Sequence, residues 1–239
     1  LDREPVRYWD HMFMRMLIET DVPPMGYATY AIEPVEPDDY PTHLLKAERE
    51  ELPCGPVVLE NAKIRATFDT GSGMLQSLID KKTGEELLSG PAGLHLVRTE
   101  DSDMSAWRIG RYFGYEPVTD TNRVRVETGD LRTTIRFDQS VMHSTVYMTV
   151  SLDRDSDVLK YDFSIDWHET CKAQKWIPLL AYRLPLKNGS DTILTDVPAG
   201  YATRAAREID VPALTGACAV TAGMTAALIA DCKYGFRLA

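Results

Sequence analysis

The stretch that most constrains this chain runs from Leu59 to Leu88, LENAKIRATFDTGSGMLQSLIDKKTGEELL. Ile64, Ala66 and Phe68 alternate with Lys63, Arg65 and Thr67. That is the period-two pattern of a strand with one face buried. Thr70-Gly71-Ser72-Gly73 interrupts it with two glycines, which reach positive φ without a Cβ clash. A second strand, Met74 to Asp80, carries Leu75, Leu78 and Ile79, and Lys81-Lys82-Thr83-Gly84 turns the chain again before Glu86-Leu87-Leu88. Short strands joined by tight glycine turns make an antiparallel meander.

The same alternation returns downstream. Gly93 to Val97 is expected to be a strand, followed by a polar, aromatic-bearing loop from Arg98 to Glu116. Val124 and Val126 alternate with Arg123 and Arg125, and Ile135 and Phe137 with Arg132, Thr134 and Arg136. Val146, Met148 and Val150 oppose Thr145, Tyr147 and Thr149, while Leu159, Tyr161, Phe163 and Ile165 oppose Lys160, Asp162, Ser164 and Asp166. Strands at a spacing of about ten residues with no helical period indicate an all-β sandwich or barrel of antiparallel strands.

Upstream, Met12 to Glu19 and Tyr27 to Ile32 are expected to be strands around the turn Asp21-Val22-Pro23-Pro24-Met25-Gly26. Residues 1–33 therefore read as the end of a preceding small β module. Residues 34–55 read as a linker, acidic and broken by Pro34, Pro37, Pro41 and Pro53, with a short helix over Leu44 to Leu52 capped by Thr42. Residues 56–239 form the main domain, a size that suits one large β-sandwich.

Composition bounds the function. The net charge is −10, from 26 basic and 36 acidic side chains, and no basic run tracks a phosphate backbone, which argues against nucleic acid as a partner. No apolar run reaches the length of a membrane-spanning helix. The start, Leu1-Asp2-Arg3-Glu4-Pro5, lacks an initiator methionine and the order of a signal peptide, so the chain reads as an excised piece of a longer one. Cys54, Cys171, Cys218 and Cys232 show no metal or redox spacing and are expected to be free thiols in a reducing, cytoplasmic compartment.

Chemistry-bearing motifs are few. Asp166 and His168 in Asp166-Trp167-His168-Glu169 share a face of an extended chain, but two ligands do not make a metal site, and structural placement at a strand end is the expected reading. No nucleophile elbow, phosphate loop or dinucleotide fingerprint occurs. Trp107, Tyr112, Phe113 and Tyr115 either stack against sugar rings or form a lid over the sheet.

Three ordered stretches carry a family resemblance: the Leu59-to-Leu88 meander, the strand ending in Ile165-Asp166-Trp167-His168-Glu169, and Ala226 to Phe236, AALIADCKYGF. Together they resemble the C-terminal region of glycoside hydrolase family 38 α-mannosidases, whose equivalents read approximately as ENxxLRVxFDxxTGxLxSLxDKKTGxEL, VDWHE and LLNDCKYGY. Val22 to Tyr30, VPPMGYATY, similarly resembles the VPPLGYxTY stretch that precedes this region in the family. The resemblance implies a galactose-mutarotase-like β supersandwich. It further implies a parent enzyme that is a retaining exo-α-mannosidase, whose zinc ion and aspartate nucleophile lie in an N-terminal domain outside this chain. Retention requires two carboxyl groups about 5 Å apart, and the zinc would grip the sugar hydroxyls. No catalytic, cofactor or metal residue is carried onto this sequence.

The loop departs from the family: MSAWRIGRYFG stands where relatives resemble WDAWDIDxYY, so Trp107 and Tyr112 match while Arg108 and Gly110 replace acidic positions. Trp107 and Tyr112, with Tyr201 and Arg204 in DVPAGYATRAAR, are the candidate carbohydrate contacts. The expected function is that of scaffold and cleft wall in an α-mannosidase, with no hydrolysis by this chain alone. The expected partners are α-mannosides, the N-terminal catalytic domain and, through an edge strand left open, a further copy of the chain. Two alternatives stand beside it: a stand-alone carbohydrate-binding β-sandwich, and a mutarotase-like epimerase, which would need a histidine and a carboxylate converging on one concave sheet.

Overall fold

In the computed structural model, residues 6–8, 11–13, 16–31, 48–51, 55–101, 108–171, 175–187, 189–205, 207–221, 224–231 and 235–238 are described, and they contain strands, turns and no helix. In chain order the strands are β1 (Val6–Tyr8), β2 (His11–Phe13), β3 (Glu48–Glu51), β4 (Pro56–Glu60), β5 (Ile64–Asp69), β6 (Leu75–Asp80), β7 (Glu85–Glu86), β8 (Gly93–Glu100), β9 (Tyr112–Pro117) and β10 (Asp120–Thr128). They continue as β11 (Arg132–Val141), β12 (Ser144–Asp153), β13 (Leu159–Asp166), β14 (Trp176–Arg183), β15 (Thr192–Val197), β16 (Gly200–Ala205), β17 (Arg207–Pro212), β18 (Gly216–Thr221), β19 (Met224–Ile229) and β20 (Gly235–Leu238). All pairings are antiparallel, and the all-β class read from the alternation holds.

The five-stranded sheet β13-β12-β11-β10-β3 is the floor on which two other sheets rest. Its inner face presents Val124, Ile135, Phe137, Met148, Val150 and Leu152, which share one core with Leu59, Ile64, Ala66, Phe68 and Leu75 of the sheet β4-β5-β6-β7. Phe68 and Phe137, both fully buried, meet across the layers with ring centroids 6.0 Å apart. Beside them Leu94 and Leu96 of the sheet β14-β8-β9 pack on Val141 and Val146. This is the sandwich that period-two alternation demands: each strand buries one face, and the only apolar surface available to cover it is another sheet's.

The meander forms with both turns as expected, Gly73 at φ 68° and Gly84 at φ 75°. It gains a strand at its start, β4, which pairs with β5 from Pro56↔Asp69 to Glu60↔Arg65. The side chain of Gln139, 1% exposed, secures the first turn by donating from Nε2 to the carbonyls of Ser72 (3.0 Å) and Val118 (3.3 Å). Asn61 ties the other end of the meander to the floor, donating to the carbonyls of Asp153 (2.8 Å) and Ser156 (2.6 Å).

Three expectations are corrected. Residues 48–51, expected to be helical, form β3, an edge strand laid antiparallel on β10 from Glu48↔Thr128 to Glu51↔Arg125; the open edge of β10 supplies backbone partners that outweigh the weak local helical preference. Thr42, the proposed cap, lies outside the described residues. Tyr27 to Ala31 is irregular rather than a strand, and Tyr27 is 87% exposed, because no neighbouring strand pairs with it. Only the turn at Pro24–Met25 survives there, closed by Gly26 N to Pro23 O at 3.0 Å. Finally, the loop expected from Arg98 to Glu116 is shorter at both ends, since β8 runs to Glu100 and β9 starts at Tyr112.

Candidate functional site

A cluster of aromatic and charged side chains joins β9 to β17 and to the last strand, β20. It starts from a backbone irregularity. The register of β8 with β9 runs Arg98↔Gly114 and then Thr99↔Tyr112, so Phe113 is an extra residue in β9. In a regular strand Tyr112 and Tyr115 would point to opposite faces; the bulge brings them to one side, with ring centroids 6.0 Å apart at 66°.

On that side Tyr112 donates its hydroxyl to Asp210 Oδ2 at 2.7 Å, and Arg237 Nε donates to Asp210 Oδ1 at 2.9 Å. The Arg237 guanidinium lies over the Tyr112 ring, 3.7 Å from its centroid, and donates from Nη1 to the Tyr115 hydroxyl at 3.3 Å. Asp210 belongs to β17 and Arg237 to β20, strands paired at Val211↔Phe236 and Pro212↔Gly235. From β14 the Arg183 guanidinium covers the Tyr115 ring at 4.6 Å. Next to this, Arg98 forms an ion pair with Glu116 and lies 5.1 Å from the centroid of Trp176.

The electrostatics are settled within the cluster. Burial, and then the hydrogen bond to the Asp210 carboxylate, push the Tyr112 phenol well above its usual pKa, so it stays a neutral donor. Burial alone would weaken the Arg237 cation, but its bond to Tyr115 and the charge of Asp210 outweigh that and raise its pKa. Asp210 has both oxygens engaged by donors and so is held as a charge partner, not presented as a free base. Partly exposed around it are Tyr115, 37%, with the exposed Arg183 over one side of its ring, and Phe113, 52%. An aromatic face beside fixed cationic donors suits contact with a hydroxyl-rich ring.

Of the expected carbohydrate contacts, Tyr112 is in this cluster, as a half-buried member facing Asp210. Trp107 lies outside the described residues. Tyr201 and Arg204 are on β16: Tyr201 is 76% exposed, and Arg204 donates from Nε to Thr195 Oγ1 at 3.1 Å. Asp210, Arg237 and Arg183 were not anticipated. The one local cue was that Arg237 directly follows the Tyr234-Gly235-Phe236 stretch of a family motif.

The second motif has a structural role. Glu169, 9% exposed, accepts at Oε1 from His143 N (2.6 Å) and Ser144 Oγ (2.7 Å), and Ser144 Oγ accepts from His168 N (2.9 Å). The Trp167-His168-Glu169 segment thus holds the hairpin between β11 and β12. His168 Nε2 and Asp166 Oδ1 are 3.0 Å apart with both side chains more than half exposed. Among the described residues no three His, Cys, Asp or Glu side chains gather as metal ligands. Cys171 and Cys218 are free thiols; Cys54 and Cys232 lie outside the described residues. No helix among the described residues is long and apolar enough to cross a membrane.

The chain's residues 59–239 match the family model described as Glycosyl hydrolases family 38 C-terminal domain. No curated protein matches the chain.

Proposed function

The chain belongs to glycoside hydrolase family 38, carrying its C-terminal domain, and from that premise we propose that it serves a retaining exo-α-mannosidase as scaffold and as one wall of the sugar cleft. Residues 1–33 then end a preceding β module, and residues 34–55 lead into the sandwich while lending its floor the edge strand β3. The zinc ion and the nucleophile come from an N-terminal catalytic domain, which is the chain's protein partner, and α-mannosides are its small-molecule partner. A cytoplasmic location accords with the free thiols Cys171 and Cys218.

The observation that carries the cleft-wall role is the bulged pair Tyr112 and Tyr115, clamped between Arg237 and Arg183. A wall needs side chains locked before the sugar arrives, and here the inner tyrosine is fixed by Asp210 so that the outer one offers its ring. Within this cluster each oxygen of Asp210 accepts from one fixed donor, Tyr112 or Arg237, which holds the carboxylate to its structural partners. A second reading, a sugar-binding sandwich that needs no catalytic domain, draws on the same exposed ring of Tyr115 and on the cationic Arg183 over it.

The two are separated by assay. The purified chain with added zinc is expected to leave a chromogenic α-mannoside intact; chelator-sensitive turnover would overturn the proposal. Tryptophan fluorescence titrated with α-mannosides reports binding. A saturable change at micromolar sugar, lost in Tyr115→Ala, would favour the self-sufficient binding module, whereas a wall completed by another domain gives at most a millimolar response.

A further inference from the structure

The inner face of the floor sheet continues past its cover. In the pairing of β12 with β13, Leu152, Val150, Met148 and Val146 stand opposite Leu159, Tyr161, Phe163 and Ile165. The β12 residues are buried beneath the upper sheets. On β13 the cover thins out: Tyr182 of β14 meets Tyr161 at a centroid distance of 5.1 Å and shares a 2.9 Å hydroxyl–hydroxyl bond with it, and Phe163 stacks on Tyr161 at 6.1 Å. Phe163 nevertheless stays 38% exposed and Ile165 42%. The outer edge of β13 has no strand paired to it among the described residues. An apolar row beside an open hydrogen-bonding edge is a template for one more strand.

We propose that this strand is β13 of a second copy, paired antiparallel about a two-fold axis at Phe163. Opposed residues of an antiparallel pair share a face, so apolar positions must meet apolar positions, and the centre is one of residues 161 to 164. Centring on Asp162 sets that carboxylate against its own copy, and centring on Ser164 sets Asp162 against Asp166 at two places. Centring on Tyr161 joins Lys160 to Asp162 but leaves Ser164 to Asp166 of β13 unpaired within the strand. Centring on Phe163 pairs the strand from Lys160 through Asp166, with Lys160 opposite Asp166 at both ends and Asp162 opposite Ser164. The covered face then places Phe163 against Phe163 of the second copy and Tyr161 against Ile165. Within one copy Lys160 already holds Asp153 at 2.6 Å and Asp166 faces His168 at 3.0 Å, so the cross-copy pairs join side chains that already make polar contacts on that face. This pairing stands independently of the α-mannosidase reading.

Sedimentation velocity of the chain across micromolar to submillimolar concentration tests it. A concentration-dependent dimer is expected. Asp166→Lys, which places two lysines opposite each other at both ends, is expected to weaken the dimer about ten-fold or more, as is Lys160→Glu. The double variant Lys160→Glu/Asp166→Lys reverses each pair and is expected to return the dimer to within a few-fold. Circular dichroism checks that each variant is folded, and Asp166→Lys alters a side chain that is already 69% exposed, so it retains the fold if Lys160→Glu does not. A chain that stays monomeric throughout, or a dimer indifferent to Asp166→Lys, would overturn the pairing.

Discussion

The guanidinium of Arg237 rests 3.7 Å from the centre of the Tyr112 ring while its Nε holds the carboxylate that Tyr112 also binds. Two residues far apart in the chain therefore share one acid, Asp210, and β20 is pinned to β9 through it. Arg237→Ala removes the cation from a carboxylate whose side chain is 23% exposed and is expected to cost about 2–3 kcal/mol of stability. Tyr112→Phe removes one hydrogen bond and keeps the ring under the cation, so about 1 kcal/mol is expected. Urea unfolding of both variants checks the order; equal, negligible losses would mean the cluster does not hold β20 in place.

Gly73 and Gly84 both sit at positive φ, where an added Cβ costs about 1–2 kcal/mol. Their surroundings differ. A Cβ on Gly73 would stand 2.6 Å from Gln139 Nε2, a buried group bonded to two carbonyls, whereas one on Gly84 meets nothing within 4 Å. Gly84→Ala should therefore show the backbone cost alone and Gly73→Ala about 1–3 kcal/mol more. Chemical denaturation that finds the two equal would show that Gln139 moves aside freely.

Glu169 is a buried acceptor for one backbone amide and one hydroxyl, both at Oε1. Glu169→Ala leaves those donors unpaired, an expected loss of about 2–3 kcal/mol. Glu169→Gln retains an acceptor oxygen, and because Oε2 is buried without a partner, the amide gives up no bond there. It should stay within about 1 kcal/mol of the parent. A melting point for Glu169→Gln as low as that of Glu169→Ala would indicate that the charge itself is required.

Asp196 gathers the hydroxyl of Thr215 and the amides of Leu214, Thr215 and Gly216. The Thr215 hydroxyl bond leads, and with the amides it draws the Asp196 pKa from 3.8 down to about 2. Because the folded pKa lies below the unfolded one, the carboxylate's stabilisation is fully present above pH ~4 and is lost as pH falls toward 2. Thermal unfolding from pH 7 to pH 2 should show that acid-side decline, and Asp196→Asn should start lower at neutral pH and shed part of the slope. An unchanged slope in Asp196→Asn would assign the decline to other carboxylates.

Much of the fold was legible residue by residue. The rows Ile135–Phe137, Val146–Met148–Val150 and Ile64–Ala66–Phe68 are buried as their alternation requires, since on a pleated strand neighbours must face opposite ways. The turn at Gly73 was legible for the same local reason, because few residues other than glycine adopt its φ. The candidate site was legible in its aromatic residues, Tyr112, Phe113 and Tyr115, which stand together in the sequence. Its partners Asp210 and Arg237 come from strands whose local pattern carries no sign of β9, and Tyr115 joins through a bulge at Phe113 that no residue type announces.

By itself, then, the sequence determined the all-β class, the main alternating strands, the glycine turns and the family, because those depend on local sterics and on the order of motifs along the chain. Only the tertiary structure decided which edges are filled. It made a strand of Glu48–Glu51, whose backbone found an open ladder on β10, and left Tyr27 to Ala31 irregular where no ladder was offered. It also chose which side of β9 Tyr115 faces and left Phe163 and Ile165 uncovered on β13. Pairing and cover are supplied by residues distant in sequence, and a strand's own pattern states which face wants burial but not what will bury it.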